Sequence, residues 1–416
     1  MVQVYNHHWQ RGKLGSFFSY WRDFFILVLP VRSLPRFLVR WLYGFEPQFV
    51  FLCHPRAYQD IFIAAPFLKP IQFFFRKKNA YDFLLHVSPF VLNAIRTKYG
   101  VNGLVIGQVT FPEILFKKRK SSIAVMKKSI LLASKICKPG TILGLGGWLP
   151  MISKRGASLK KYAHSRGIIL TNGHCGTSLS IYLTIEHIAQ KANIGMRELR
   201  VAIIGAGKMG MNLIRILNGK VNHLTIIDIQ PANFLRIRNE IIKNPLGTTF
   251  DTVLSSALAQ DSLREALKLS HIGVCSTSSL RTILRLKDMP EGFIAIDDSR
   301  PEALPRDPKN ERIILEGGLL KIPGTKTDYN YGFGEDDNVF GCLGEAFLLA
   351  LDKENILVPT LGDVDLVNFW KMVEFCKRKN VSQGDLKSCD VIITEADIQH
   401  AFEKRGFFIG VKNEKG

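Results

Sequence analysis

An α/β fold built on parallel sheets is predicted by three features of the 416-residue chain. Compact apolar runs such as Phe49–Cys53 and Thr141–Leu145 read as buried strands. Longer stretches between them, such as 112–137, read as helices, the alternation that lays strands side by side. One run, Leu199–Ile204, opens into a GxGxxG turn, a helix and a second strand. That unit makes the fold class α/β with a Rossmann-type nucleotide-binding domain inserted after an N-terminal α/β substrate domain. The organisation expected is a basic aromatic arm over 1–48, a substrate domain over 49–196, the nucleotide domain over 197–300 and a C-terminal segment over 301–416.

The arm differs from the rest of the chain. Aromatic residues crowd between Phe17 and Phe45, interleaved with Arg22, Arg32, Arg36 and Arg40. Pro30 and Pro35 divide it into two short segments, because proline lacks the amide a helix interior needs. This is the composition of an interfacial membrane segment or of an arm packed on the protein's own core. The run Phe24–Val31 is far shorter than the roughly 18 residues a membrane span requires. Arg22 and Asp23, just ahead of that run, interrupt the wider apolar stretch, against a signal peptide. The seven cysteines are scattered and none forms CxxC, so neither a disulfide framework nor a zinc site is expected, and the cysteine usage fits a reducing cytoplasm.

Beyond the arm, Gly103–Val109 is a second strand after Phe49–Cys53. The predicted helix over 112–137 bears Lys117, Lys118, Arg119, Lys120, Lys127 and Lys128 on one face. Such runs are usually solvated faces, yet the formal net charge of +20 favours acidic partners: nucleic acid, anionic lipid or an acidic carrier protein. Thr141–Leu145 leads into Gly146-Gly147, and Gly167–Leu170 into Thr171-Asn172-Gly173 and a helix to about Ala192.

In the nucleotide unit, Gly205-Ala206-Gly207-Lys208-Met209-Gly210 supplies the tight turn, the close approach of backbone to a diphosphate and the helix–strand packing. The helix that follows offers amide donors to phosphate. The second strand, Leu224–Ile227, ends at Asp228, where a carboxylate accepts hydrogen bonds from the adenine ribose. Strands at Ile272–Cys275 and Phe293–Ile296 follow, and the loop Ser276–Ser279, with Ser276 and Thr277, is expected to line the cofactor site. After a strand-like run at Arg312–Leu315, a helix is predicted from Val339, capped by Asp336, Asp337 or Asn338. It places Cys342 in its first turns, where the helix dipole favours a thiolate, and Glu345 on the same face. A helical Cys is otherwise usually packing.

Several of these segments together resemble the long-chain acyl-(acyl carrier protein) reductases, which form fatty aldehydes. The likeness runs in order from about residue 49 to 352. Phe111–Leu115 is similar to the family's Leu-Pro-Glu-Met-Leu, Leu145–Trp148 to its Leu-Gly-Gly-Phe, and Thr171-Asn172-Gly173 with Thr177 to its Thr-Thr-Gly…Thr. Gly317-Gly318 matches a Gly-Gly pair, and Phe340–Ala346 resembles the helix bearing the acyl-accepting cysteine. The resemblance implies Cys342 as nucleophile, a role for Glu345, acyl carrier protein or acyl-CoA as donor, and NADPH as cofactor. This chain departs in its phosphate loop, its longer arm and its tail over 353–416. Asp228 and Ile229 also stand where the family usually has an Arg, and a carboxylate there repels a 2′-phosphate. NADPH or NADH is therefore expected, with NADH used at least as well.

Ile203–Gly210, Ser276–Ser279 and Phe293–Pro301 also look like the nucleotide domain of glutamyl-tRNA reductases, a family with a cysteine near the N-terminus, here matched by Cys53. The positive charge would suit tRNA, but Cys53-His54-Pro55-Arg56 departs from that family's Cys-Asn-Arg. A non-catalytic lipid- or nucleic-acid-binding protein with a vestigial nucleotide fold is the third reading. The leading expectation is a cytoplasmic fatty acyl thioester reductase, peripheral on the inner leaflet through residues 1–48, with no nucleic-acid partner. Cys175, beside His174, is a further candidate thiol, and Cys275 is expected to pack or touch cofactor.

Overall fold

The structure, a computed structural model, describes residues 13–29, 33–74, 77–243, 246–255, 260–279, 282–299, 302–327, 337–389 and 391–407. Pro30, Arg32, Pro301 and Asp336, which the sequence reading used, lie outside these residues. The chain divides into two compact units, Met1–Thr177 with Ile322–Val381 and Ser178–Lys321 with Ser382–Gly416. The described residues of the 1–48 arm thus belong to the first unit, and those of the stretch expected as one C-terminal segment are shared between both.

The first unit contains helices α1 (Lys13–Val28), α2 (Ser33–Tyr43) and α3 (Arg119–Ile136) and strands β1 (Phe49–Cys53), β2 (Phe90–Arg96), β3 (Gly103–Gly107), β4 (Thr141–Leu145) and β5 (Ile168–Thr171). Its sheet runs Lys326–Thr327, β2, β3, β1, β4, β5. The last four strands are parallel, whereas β2 is antiparallel to β3. Full burial of β3 and β4 explains their largely apolar sequences, with Thr141 the one polar residue. One face of the sheet, with Val50, Leu52, Leu104, Ile106, Leu143 and Leu145, forms a core with Met126, Ile130 and Ile136 of α3. Two sequence expectations change here. The single helix over 112–137 is two, Pro112–Lys117 and α3, because Lys118 leaves helical backbone (φ −122°, ψ 48°). The arm is not separate: Ile26 of α1 and Val39 of α2 are buried in the core beside α3.

The second unit holds β6 (Arg200–Ile204), β7 (His223–Asp228), β8 (Thr249–Leu254), β9 (Ile272–Cys275), β10 (Ile294–Asp297) and β11 (Ile313–Glu316). All six are parallel, in the order β8-β7-β6-β9-β10-β11. Counted from β6 as strand one, that is 3-2-1-4-5-6, the doubly wound dinucleotide-binding order. The fold class is therefore α/β with a Rossmann-type unit, as the glycine turn predicted. Its sheet extends past residue 300 to β11, which the sequence reading placed in the C-terminal segment.

Candidate active site and glycine loop

Strand order in the second unit's sheet reverses between β6 and β9, and crevices at such points bind ligands. Gly205 follows β6 with φ +94°, a conformation side chains rarely adopt. A β-carbon at Gly210 would fall 2.0 Å from the Gly205 carbonyl oxygen, so only glycine lets the helix Lys208–Leu217 start this close. A β-carbon at Gly207, by contrast, would meet no described atom within 4 Å. Backbone open to solvent at a helix N-terminus fits a dinucleotide diphosphate, with the amides of Lys208, Met209 and Gly210 as first-turn donors. From β9, the Ser276 hydroxyl donates to the Gly205 carbonyl at 3.1 Å, and the Thr277 amide to Ser299 Oγ at 3.2 Å. The loop expected to line this site does border the glycine turn.

Asp228 has a different environment from the one expected. Its carboxylate is buried and faces the loop, accepting from the amides of Ala206 at 2.6 Å and Gln230 at 2.7 Å and from Asn233 Nδ2 at 3.0 Å. Arg236 reaches back from the next helix, and its Nη2 donates to the Ala206 carbonyl at 2.9 Å. Ala206 is thus held from both sides, by a carboxylate on its amide and a guanidinium on its carbonyl.

In the first unit, four segments distant in sequence meet at the carboxyl ends of β1, β4 and β5. The helix Gly341–Leu351 is buried nearly throughout, and half-buried Cys342 is its exception in the first turn. A β-carbon at Gly173 would lie 2.5 Å from Cys342 Cβ, and one at Gly176 would lie 2.2 Å from the Gly341 carbonyl oxygen. The glycines of the 171–177 turn therefore let this helix dock. Gly144 of β4 would likewise meet Ala346 Cβ at 3.0 Å. The helix begins at Gly341, not Val339, and its N-cap is Phe340 rather than Asp337 or Asn338, because Asn338–Phe340 is a strand.

Cys53, at the end of β1, feels the charge of Cys342, and burial followed by that charge pushes its thiol up to about 12. His54 is committed to structure. Its Nδ1–H donates to the Pro55 carbonyl at 2.8 Å, and Nε2 accepts the Trp148 amide at 2.9 Å, tying β1 to the turn after β4. Burial lowers its pKa to about 4, which keeps it neutral. His174, next to Gly173, is also lowered to about 4, first by burial and then by the Arg155 charge.

Glu345 is fully buried and both oxygens are engaged. Oε1 accepts from the Thr171 hydroxyl and, at 3.2 Å, from the Thr360 amide; Oε2 accepts the Gly176 amide at 2.8 Å. Burial raises its pKa despite these bonds. The residue expected to assist Cys342 instead anchors its helix to β5 and to the segment around Thr360. Cys175 and Cys275 are wholly buried with strongly raised pKa values, burial being the main cause, so both are packing thiols.

Sequence reasoning missed Gln108 and Thr110. Both are buried just past β3, where the Gln108 amide donates to the Cys53 carbonyl at 3.1 Å. Neither the Gln108 carboxamide nor the Thr110 hydroxyl has a hydrogen-bond partner among the described residues. A buried polar group left in that state is costly unless water or ligand meets it. The only sequence signal was a Gln and a Thr directly after an apolar strand.

No family model matches the chain, and no curated protein matches it. Among solved structures, L-tryptophan dehydrogenase from Nostoc punctiforme shares 12% identity over 86% of this chain and 88% of that one, with a TM-score of 0.34. Glutamyl-tRNA reductase from Methanopyrus kandleri shares 16% over 48% and 46%, with a TM-score of 0.26. A dipicolinate synthase from Bacillus halodurans shares 14% over 42% and 56%, with a TM-score of 0.26, so the match spans little more than half of that protein. Likenesses at these scores carry no functional argument, and the residues of this chain must supply it.

Proposed function

We propose that the protein is an oxidoreductase that uses NADPH or NADH to reduce fatty acyl thioesters to aldehydes, through a thioester on Cys342. The observation that supports this most is the meeting of Cys53-His54, Gly146–Trp148, Thr171–His174 and the start of the Cys342 helix at the carboxyl ends of β1, β4 and β5. These are largely the segments that resemble the acyl reductases, and nothing in their spacing requires them to converge.

The deprotonated sulfur of Cys342 attacks the acyl carbonyl carbon, the new S–acyl bond forms and the carrier thiolate departs. Covalent catalysis of this kind divides a hard step into two easier ones. A nicotinamide held by the glycine loop would supply the hydride that the acyl carbon takes up. Cys342 thiolate then leaves as the aldehyde is released. Gly205, Gly207 and Gly210, with Ala206 braced by Asp228 and Arg236, would shape the backbone cradle of a diphosphate, the first-turn amides of Lys208 and Met209 would donate to it, and Ser276 and Thr277 would border it. Glu345 is a positioning residue, since it fixes the Cys342 helix without a free oxygen to offer the substrate. Lys117, Lys120, Lys127 and Lys128 are exposed on one stretch and suit an acidic acyl carrier protein.

The competing assignment, Cys53 as nucleophile in the manner of glutamyl-tRNA reductase, is disfavoured by its high pKa, since the thiolate is the reactive form. The test is turnover: purified protein is mixed with NADPH or NADH and either acyl carrier protein or coenzyme A bearing a long acyl chain, and aldehyde is trapped as a hydrazone. Stoichiometric cofactor oxidation and aldehyde support the reading. Cofactor binding without oxidation by any acyl thioester would leave the non-catalytic binding protein as the better one.

A further inference from the structure

We propose that α1, α2 and the Phe73-Phe74 pair form a built docking face for an anionic lipid bilayer. This face is independent of the acyl-thioester reading. Helix α1 carries apolar residues on both sides. Its buried side mixes Ile26 with Ser16, Ser19 and Asp23, with Asp23 at 0% exposure, whereas Phe18 (65%), Trp21 (40%), Phe25 (55%) and Val28 (61%) form an outward stripe at helical spacing. A helix packed on a core in water keeps polar residues on its outward side.

Polar anchors fix this orientation. The Asp23 carboxylate accepts the Val91 amide at 2.7 Å and the Arg22 Nε–H at 2.8 Å. Lys135 of α3 donates to the carbonyls of Ile26 at 2.9 Å, Leu27 at 2.6 Å and Leu29 at 2.5 Å, closing the C-terminal end of α1. Turning the aromatic stripe inward would expose Asp23 and orphan the buried Val91 amide. The interior therefore holds the aromatic face outward.

The stripe does not stand alone. α1 and α2 both pack on α3, and Arg22 lies over the Tyr43 ring at 5.6 Å. On α2, Phe37 and Trp41, four residues apart, are 65% and 72% exposed. Phe17 and Tyr20 pack against Phe67, at 6.1 and 5.0 Å, and the chain continues from there to Phe73 and Phe74, 86% and 81% exposed. Exposed Arg40 and Lys69 lie among these segments, on a chain of net charge +20. Aromatic residues edged by Arg and Lys match a bilayer interface with anionic headgroups better than a neutral protein groove. Among the described residues no helix is long and apolar enough to cross a membrane, so attachment is from one side.

The experiment is flotation of the full-length protein with vesicles of equal parts phosphatidylcholine and phosphatidylserine, and with phosphatidylcholine alone. The wild type floats with the mixed vesicles, and Trp21 and Trp41 fluorescence is quenched by brominated lipid. Phe18→Ser with Phe25→Ser and Trp41→Ser lowers binding on the order of tenfold or more while leaving the thermal midpoint unchanged. Arg40→Glu with Lys69→Glu lowers binding to the mixed vesicles only. Failure of the wild type to float with either vesicle, or equal flotation of the aromatic variant, would overturn the proposal. So would a wild-type dimer in sedimentation velocity that the aromatic variant converts to monomer, since the face would then cover a second copy.

Discussion

Replacing Asp228 by Asn separates two roles for this carboxylate. If it contacts the adenine ribose, the substitution weakens NADH and spares or improves NADPH. The structure directs it inward, with the Ala206 amide on one oxygen and the Gln230 amide on the other. Asn has a single acceptor oxygen, so one of those two backbone donors must face an amino group. Losing a hydrogen bond to a charged acceptor costs about 1.5–3 kcal/mol. If that cost falls on the loop conformation that receives the diphosphate, cofactor affinity drops about 10–100-fold. The diphosphate is common to both cofactors, so the factor is the same for NADH and NADPH. Isothermal titration of wild type and Asp228→Asn with each cofactor reads it directly. A loss confined to NADH, with NADPH unchanged or tighter, would refute the bracing role and restore the ribose contact.

Glu345→Ala orphans the buried Gly176 amide and leaves the Thr171 hydroxyl and the Thr360 amide only each other's segment to bond, and is expected to cost about 1–3 kcal/mol in urea unfolding; an unchanged midpoint would contradict the anchoring role. His54 and His174, with folded pKa values of about 4 against 6.5 unfolded, take up protons only on unfolding, so their contribution is complete above pH 6.5 and is lost as pH falls toward 4. Each therefore adds a slope of about 1.4 kcal/mol per pH unit within that window, and equal stability at its two ends would count against their burial. Deleting residues 1–48 should yield insoluble protein rather than a soluble core, because Asp23, Ile26 and Val39 are interior; a folded, monodisperse truncation would show the arm to be dispensable. Charge reversal at Lys117 and Lys120 should raise KM for the acyl carrier protein substrate and leave acyl-CoA alone, an effect that fades with salt; equal changes on both substrates point elsewhere.

The parallel core was legible because strands buried on both faces need unbroken apolar sequence, and the glycine loop because its geometry admits few other residues. β2 was not, since Phe90–Arg96 has Asn93 in its middle and ends on Arg96. The arm misled for a physical reason: its composition is interfacial, and only the tertiary contacts of Asp23 and Lys135 reveal that it is also core. Cys342 could be placed in a helix first turn, but the roles of its neighbours could not. A carboxylate three residues away on a helix reads the same whether it faces a substrate or three backbone and hydroxyl donors. Spacing likewise put Asp228 near a ribose without indicating which way the side chain turns.

Cys342 as acyl acceptor is the central claim, and a covalent adduct tests it most directly. Intact mass is measured after incubation with a long-chain acyl thioester and no cofactor, for wild type, Cys342→Ser and Cys53→Ser. One acyl adduct on wild type and on Cys53→Ser, absent from Cys342→Ser while cofactor affinity is retained, is the predicted result. An adduct that persists in Cys342→Ser and disappears in Cys53→Ser would contradict it and move the nucleophile to the end of β1.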